Sequence, residues 1–475
     1  MPASPQVDLP AAELPTTYCV VGAGPGGLIA ARALRRAGIA VEILERYHEV
    51  GGIWNIDHPG SPLYESCNFI ASSKRGGFIG YPMPADYPDY PTWQQIRDYI
   101  HAMADAFDLR RFVTFCAEVV AAEPVRTAAG TYWTVRLADG RTRDYRGIVY
   151  AGGHEWKPNL PDLPGTTSFA GRIIHSKDYR STSEFDGRRV LVVGAGNSGV
   201  DIATDAAFMA EQAYLSTRRG YWFLPKQVFG VPITEYLDGS ESLPDHPMLE
   251  GLDEERRVAM LLAIVGDLTR FGLPAPDHPV TATHPIVNNN VLHYLAHARL
   301  AWVPDVVRLT ETGAVFADGT EREVDTIVFA TGYDIEIPWL PEGAVEYRKG
   351  RPVTHLATFF PGLENFYAVG IQHAADHGYQ NFDEFAQLVV ADARATLTGR
   401  GREAIEEIKN DYRPDLKAGT PFVNTRRNEN QWSSPALRTT VEDLRKRFGI
   451  EIPEWDDQEF YRPLLVAANA GRPAA

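Results

Sequence analysis

Two hexapeptides in this chain have the residue types and spacing of a phosphate cradle. They are Gly22-Ala-Gly-Pro-Gly-Gly27 and Gly194-Ala-Gly-Asn-Ser-Gly199. In G-x-G-x-x-G the first glycine makes a tight turn and the second lets the backbone approach a pyrophosphate. The third lets a helix pack closely on a strand. That helix presents unpaired N–H groups and the positive end of its dipole to the anion. The candidate contacts are Gly22, Gly24, Pro25, Gly26 and Gly27 in the first copy, and Gly194, Gly196, Asn197, Ser198 and Gly199 in the second. A glycine-rich turn alone is a weak signal, so the flanking elements decide its meaning.

Both copies have the same flanks. Tyr18-Cys-Val-Val21 is an apolar run that stops at glycine, the pattern of a buried parallel strand. Leu28 to Ala37 has helical character, and Ala40 to Glu45 reads as a second strand. Strand, glycine turn, helix and strand make a βαβ unit. Glu45 ends that second strand, where a carboxylate can accept bonds from ribose hydroxyls; Arg46 follows it. In the second copy Arg189 to Val193 leads into the turn, and Gln212 to Ser216 is the next strand. No acid ends it. The chain reads Ser216-Thr-Arg-Arg219 instead. A carboxylate there repels a 2′-phosphate, whereas a guanidinium binds it bidentately. Ser216, Arg218 and Arg219 therefore point to NADPH over NADH. The bland alternative is a solvated surface arginine pair. Two dinucleotide folds in one chain pair naturally as NADPH, the hydride donor, and FAD, the acceptor.

A second echo supports duplication. Ala138-Asp-Gly140 precedes the apolar run at Ile148 by ten positions, and Ala317-Asp-Gly319 precedes the one at Ile327 by ten. Asp-Gly between strand-like runs is a hairpin signal. The expected fold class is α/β, with two Rossmann-like dinucleotide-binding domains and the NADPH domain inserted in a discontinuous FAD domain. The expected bounds are a tail over 1–15, an FAD domain over 16–160 and 325–475, and an NADPH domain over 161–324. A helix is expected over Asp383 to Leu397, with Asp383 as its N-cap. Residues 372–383, with Asp376, Tyr379 and Gln380, form a further site candidate, because such a helix can aim its N-terminus at the flavin pyrimidine. The final stretch from Gly401 carries only weak helical patterns.

Composition narrows the classes. The 475 residues are 44% hydrophobic and 23% charged, which excludes a largely disordered or fibrous chain. The formal charge of −16 disfavours nucleic acid and anionic membrane as partners. There are three cysteines and no C-x-x-C, so no disulfide framework, zinc site or redox dithiol is read. That excludes a disulfide reductase with its thiol pair on this chain. Met1 to Pro15 lacks the basic start and apolar run of a secretory signal, and no segment is apolar for long enough to span a bilayer. The cytoplasm is the expected compartment. His373 and His377 have i, i+4 spacing but lie in a loop, and no metal site is read there. The sequence leaves the assembly open, a homodimer included.

Phe169-Ala-Gly-Arg-Ile-Ile-His-Ser-Lys-Asp-Tyr179 fits F-x-G-x-x-x-H-x-x-x-Y through Phe169, Gly171, His175 and Tyr179. It resembles the fingerprint of the class B flavin-containing monooxygenases. The related Baeyer–Villiger enzymes usually carry Trp at the place of Tyr179. Glu45 with Gly51-Gly52-Ile53-Trp54 resembles the family's FAD segment, and Phe329-Ala-Thr331-Gly332-Tyr333 its second crossing between domains. Val119 and Gln372 join the FAD set. There are departures. The family's active-site Asn falls at Ile70 or Ala71 here, beside Ser72 and Ser73, with Asn68 out of register. Ser72, Ser73 and Asn68 are thus the catalytic candidates. No apolar C-terminal anchor like that of the family's animal members is expected. Following the Pro-rich stretch Pro158 to Pro164, His175 and Tyr179 read as domain-fixing residues ahead of direct chemistry. Trp54 reads equally as a flavin contact and as a core side chain.

The resemblance implies that NADPH reduces FAD, that dioxygen adds to the reduced flavin, and that the C4a-hydroperoxyflavin oxygenates a soft nucleophile, an amine nitrogen or a sulfide sulfur. Two rivals stand beside it: Baeyer–Villiger oxidation of ketones by the same peroxide, and a flavin-binding NADPH sensor without oxygenation.

Overall fold

The computed structural model describes residues 14–239, 249–371 and 378–451. Its frame is two five-stranded parallel sheets. In the first the strand order is Phe366–Ala368, Gly147–Tyr150, Tyr18–Val21, Val41–Leu44, Val113–Thr114. In the second it is Leu300–Val303, Gln212–Ser216, Arg189–Val193, Thr326–Phe329, Arg172–His175. The central strands are apolar on both faces because helices cover them. Helix Pro25–Arg36 buries Leu28, Ile29 and Leu34 on the first sheet, and helix Asn197–Met209 buries Val200, Ile202 and Ala206 on the second.

Both Asp-Gly signals close hairpins. Asp139-Gly140 lies between the antiparallel strands Gly130–Leu137 and Thr142–Tyr145, and Asp318-Gly319 between Gly313–Phe316 and Glu321–Glu323. Each hairpin delivers the chain to the strand that flanks the glycine turn, Gly147–Tyr150 in the first sheet and Thr326–Phe329 in the second.

That second delivery corrects the expected return at 325. Strand Thr326–Phe329 is hydrogen-bonded on both sides within the second sheet, and Ile327 and Val328 are fully buried there. The chain leaves the second sheet only after Phe329 and reaches the first again at Phe366–Ala368. Of the expected tail over 1–15, residues 1–13 lie outside the described residues, as does Gln372.

The helix expected from Asp383 instead runs over Gly378–Thr398. Asp383 is not its cap but sits inside it, buried, where its carboxylate accepts a hydrogen bond from Arg32 of helix Pro25–Arg36. Arg32 also donates to the Ile79 carbonyl at 3.0 Å. The apolar stripe Phe385, Leu388 and Val389 packs the long helix into the same core as helix Pro25–Arg36, and the ion pair lies within that contact. Two further helices, Arg402–Asn410 and Ser434–Lys446, follow in the polar C-terminal stretch. No described helix is long and apolar enough to cross a membrane.

A buried guanidinium without its carboxylate carries an uncompensated charge. Asp383→Ala should therefore cost about 3–5 kcal/mol of stability, measured by urea unfolding of the holoprotein, while Arg32→Met with Asp383→Leu should recover most of it. A single variant as stable as the parent would show that the pair contributes nothing.

Candidate functional site

The first turn is built by backbone contacts that leave no room for side chains. Gly22 has φ +108°, and a Cβ there would stand 2.6 Å from the Ala151 carbonyl oxygen. A Cβ on Gly27 would stand 1.9 Å from the Gly22 oxygen, so only glycine lets helix Pro25–Arg36 seat on its strand. Gly52 approaches Gly24 in the same way, its missing Cβ 3.0 Å from the Gly24 Cα. The short 3-10 turn Gly52–Trp54 is thus packed directly against the cradle. Ala23 ties the segments together. Its N–H donates to Glu45 Oε2 at 2.7 Å, and its carbonyl accepts from Gly51 N at 3.0 Å.

Glu45 is buried and also accepts from Tyr47 N at 2.9 Å. Burial pushes its pKa up, opposed by those two bonds. A carboxylate offers about four acceptor positions, so capacity is left for ribose hydroxyls. Gly24 opens helix Pro25–Arg36 without any side-chain cap, and Pro25 brings no N–H. The N–H groups of the first turn are left for a phosphate. These residues fit the pyrophosphate and ribose of FAD. Sequence reasoning missed Trp156, whose ring lies 4.3 Å from the Arg46 guanidinium, with the Tyr47 ring at 4.8 Å on the same cation. No local spacing marks that stack, because the two parts lie 110 positions apart. Val119 is buried at the start of strand Val119–Thr127, within the core under the first sheet.

The second turn repeats the geometry, with Gly194 at φ +110° and the uncapped Gly196 opening helix Asn197–Met209. Its neighbours differ from expectation in their duties. Asn197 is occupied with the backbone, donating to Pro285 O at 3.2 Å and accepting from Val287 N at 3.0 Å. The Ser216 hydroxyl is buried and donates to Pro304 O at 2.7 Å. Ser198 is half-buried at the helix start. The two arginines part company. Arg219 forms an ion pair with Asp277 at 2.7 Å, whereas Arg218 is exposed and has no ion pair among the described residues. Arg218 is the guanidinium available to a 2′-phosphate.

Between the sheets the two crossings of the chain lie side by side. Lys157–Pro158 pairs with Tyr333–Asp334. Asn159 N donates to Gly332 O at 2.9 Å, and the Thr331 hydroxyl donates back to Asn159 O. His175 reaches the same Gly332 oxygen at 3.1 Å through Nε2, while its Nδ1 accepts from Lys177 N at 3.1 Å. Those partners place the proton on Nε2 of a neutral ring. Burial depresses the His175 pKa to about 4.

Tyr179 donates to Asp205 at 2.8 Å, and Ser66 donates to the same oxygen. Tyr64 donates to Asp201 at 3.1 Å, and Asn288 Nδ2 donates to its other oxygen at 2.6 Å. Burial raises the pKa of both aspartates. Helix Asn197–Met209 is so bound to the loop that follows the Gly52–Trp54 turn. Phe169 is a core side chain of the second sheet, and a Cβ on Gly171 would stand 2.6 Å from the Asp325 carbonyl.

The catalytic candidates separate. Asn68 is exposed, and its backbone bridges Thr92. Ser73 is half-buried, its N–H bound to Asp89 O at 2.9 Å. Ser72 is 0% exposed, and its hydroxyl has no hydrogen-bond partner among the described residues. Beside it runs an aromatic wall. Trp54 meets Phe69 edge-on at 5.6 Å, Phe69 stacks on Tyr379 at 5.8 Å, and Tyr379 on Phe78 at 4.9 Å. Trp54 is half-buried in this wall. Tyr379 and Gln380 lie in the first turn of helix Gly378–Thr398; Gln372, His373, Asp376 and His377 lie outside the described residues.

The neutral His175 predicts a pH effect. In the unfolded chain it titrates near 6.5, and in the folded protein near 4. The unfolded state binds that proton first, so stability is lost as pH falls from about 6.5 through about 4. His175→Asn keeps a donor toward Gly332 and cannot titrate. Its urea midpoint should fall less than the parent's over that window, by roughly 3 kcal/mol in free energy. Parallel curves would remove His175 from the linkage.

Comparison with known proteins agrees with this geometry. A family model described as flavin-binding monooxygenase-like matches residues 16–371. Flavin-containing monooxygenase 5 of Mus musculus is 31% identical over 361 residues, covering 73% of this chain and 67% of that protein. Dimethylaniline monooxygenase [N-oxide-forming] 2 of Oryctolagus cuniculus is 28% identical over 357 residues, 73% of this chain and 66% of that one. Among solved structures, an oxidized steroid monooxygenase bound to NADP has a TM-score of 0.65 at 21% identity, over 92% of this chain and 99% of that chain. An S-allyl-L-cysteine S-oxygenase from Allium sativum has 0.60 at 20%, over 96% and 98%. The structural likenesses show the fold, and the family model is that of flavin-binding proteins. The long match to the family model and the identity to the mouse enzyme show that this chain belongs to the flavin-binding monooxygenase-like family.

Proposed function

We propose that this enzyme uses NADPH and dioxygen to oxygenate a small molecule with a soft nucleophilic atom, an amine nitrogen or a sulfide sulfur. The observation that carries the reading is the pair of uncapped glycine turns. One has a buried carboxylate at its strand end and the other a free guanidinium, and the crossings at Gly332 lock the two domains together. FAD, when bound, supplies oxygen activation, and NADPH supplies the hydride. The chain's own tasks are binding, orientation and exclusion of water. Glu45 holds the ribose end of the first cofactor and Arg218 the 2′-phosphate of the second. His175 is neutral and occupied by backbone, which suits a structural duty and leaves it no proton to move. Relatives support the heteroatom branch, since the rabbit enzyme is named for forming an N-oxide. The free cysteines suit the reducing cytoplasm, where NADPH is regenerated.

The test is oxygen-dependent NADPH oxidation by the FAD-loaded protein with dimethylaniline, a thioether and a cyclic ketone, with product identification. N-oxide or sulfoxide formed in step with NADPH supports the reading. Ester from the ketone alone would favour the Baeyer–Villiger reaction. NADPH consumed with no oxygenated product from any of the three would overturn both.

We assign Ser72 as the positioning hydroxyl beside the flavin. Its fully buried Oγ has no partner among the described residues, so Ser72 is the candidate of the three. Ser72→Ala should hold or raise the melting temperature, because an unsatisfied buried hydroxyl stabilises nothing. Product formed per NADPH consumed should fall about tenfold, the worth of one such bond. Unchanged coupling would show that the hydroxyl faces no reacting group.

A further inference from the structure

We propose that Arg351 and Arg427 form a second clasp on the pyrophosphate of NADP(H), closing on it from the side opposite the Gly194–Gly199 turn. The proposal rests on the reading that this turn holds NADPH, and it assigns residues that neither the glycine motif nor the Arg218-Arg219 pair contains.

The geometry begins at Gly196. Its missing Cβ has one neighbour within 4 Å, Arg427 Nη1 at 3.7 Å. The second glycine of such a turn is where the backbone comes closest to the pyrophosphate. A guanidinium therefore borders the space that the phosphates would take. Arg427 opens the 3-10 turn Arg427–Asn430, beyond the end of the family match at residue 371.

Both guanidiniums lack the partners that burial demands. Arg351 is 5% exposed, and among the described residues its Nε and Nη1 have no hydrogen-bond partner, nor has the Nε of the half-buried Arg427. The acids nearby do not serve them. Asp334 is held by Arg426 at 2.7 Å, and Glu155 acts on both arginines through space without bonding to either. Burial lowers the pKa of both groups, Arg427 to about 10, and at neutral pH each stays charged. The neighbouring half-buried His284 has an Nδ1 without a partner among the described residues, and burial depresses its pKa, so it adds no charge. Two desolvated cations with no bonded acid among the described residues gain from an anion held between them. A pyrophosphate has the charge and the oxygens for two guanidinium forks.

The segment that brings Arg427 is anchored elsewhere, so the arginine is held in place rather than swept in. Val423 N donates to Ala282 O at 2.8 Å, Arg426 pairs with Asp334 at the crossing, and Lys349 pairs with Glu429 at 3.0 Å. Labour is thereby divided. Arg218 reads the 2′-phosphate at the strand end, and Arg351 with Arg427 grips the diphosphate bridge.

Calorimetric titration of the FAD-loaded, full-length protein separates these duties. NADP⁺ and 2′-AMP are the probes, since 2′-AMP has the 2′-phosphate but no pyrophosphate. Arg427→Gln and Arg351→Gln should each raise Kd for NADP⁺ about tenfold or more and leave Kd for 2′-AMP unchanged. Arg427→Lys should recover part of the loss. Arg218→Ala should weaken both ligands. An NADP⁺ affinity at the parent's level in both glutamine variants, or an equal loss for 2′-AMP, overturns the clasp. Failure of the parent to bind either probe would instead overturn the NADPH site itself. Should a glutamine variant not fold, the parent answers. Inorganic pyrophosphate should compete with NADP⁺ and not with 2′-AMP, and absence of that competition overturns the clasp.

Discussion

One carbonyl oxygen, that of Gly332, governs how the two halves of this molecule meet. It accepts from Asn159 N at 2.9 Å on the outward crossing and from His175 Nε2 at 3.1 Å on the last strand of the second sheet. The outward crossing and the last strand of the second sheet thus converge on a single acceptor in the return crossing. Each bond is worth only about 1 kcal/mol net. Their value lies in direction. Two dinucleotide folds that can each hold a cofactor are useless to one another unless the nicotinamide and the flavin face each other. A loose hinge would place them at random. His175 is suited to the task because its ring is fixed twice, by Gly332 on one nitrogen and by Lys177 on the other. A ring that charged at neutral pH would turn Nδ1 into a donor facing the Lys177 N–H. The depressed pKa follows from the same burial that makes the contact rigid.

The half-buried acids on helix Asn197–Met209 extend this logic. Asp201 and Asp205 gather donors from Tyr64, Ser66, Tyr179 and Asn288. Such groups persist in a core only when their oxygens are satisfied. The Tyr179 hydroxyl satisfies one of them and therefore has a reason to be tyrosine that is independent of reaction type. A tryptophan there would bring an N–H donor on a larger ring. The difference between Tyr and Trp at this place accordingly reports how the second domain is packed, and says little about whether a sulfide or a ketone is oxidised.

Local constraints made much of this architecture readable. A glycine turn is dictated by sterics within six residues, as the 1.9 Å approach at Gly27 shows, so it survives in the sequence as a pattern. The Asp-Gly hairpins are equally local. Long-range pairing is what escaped. Arg218 and Arg219 look equivalent until Asp277, 58 positions away, claims one of them. Asp383 looks like a helix cap until Arg32 draws it into a buried pair, 351 positions distant. The return to the first sheet comes later than the sequence suggests, because strand Thr326–Phe329, apolar from Ile327 on, gives no sign of which sheet it joins. Ser72 was singled out by its place beside a missing Asn, but only its burial separates it from Ser73 and Asn68. Arg351 and Arg427 carried no signal at all, since an arginine in a polar stretch reads as solvated surface.

Charge gives these arginines their meaning. The chain carries a formal charge of −16, yet both of its cofactors are polyanions. The field of the whole protein opposes their approach, while screening confines that field to about 8–10 Å at ordinary salt. Affinity must then come from groups inside that distance, in a medium less polar than water. Helix N-termini supply part of it at both turns. The first site adds hydrogen-bond acceptors for a ribose, and the second must hold a 2′-phosphate as well as the diphosphate. A more heavily charged ligand in an acidic protein calls for more local cation, and the cations cluster at the second turn. Arg218 stands at the strand end, while Arg427 borders Gly196. An acidic protein with cations set at its phosphate sites discriminates by fit, because only an anion of matching shape recovers inside what it lost on approach.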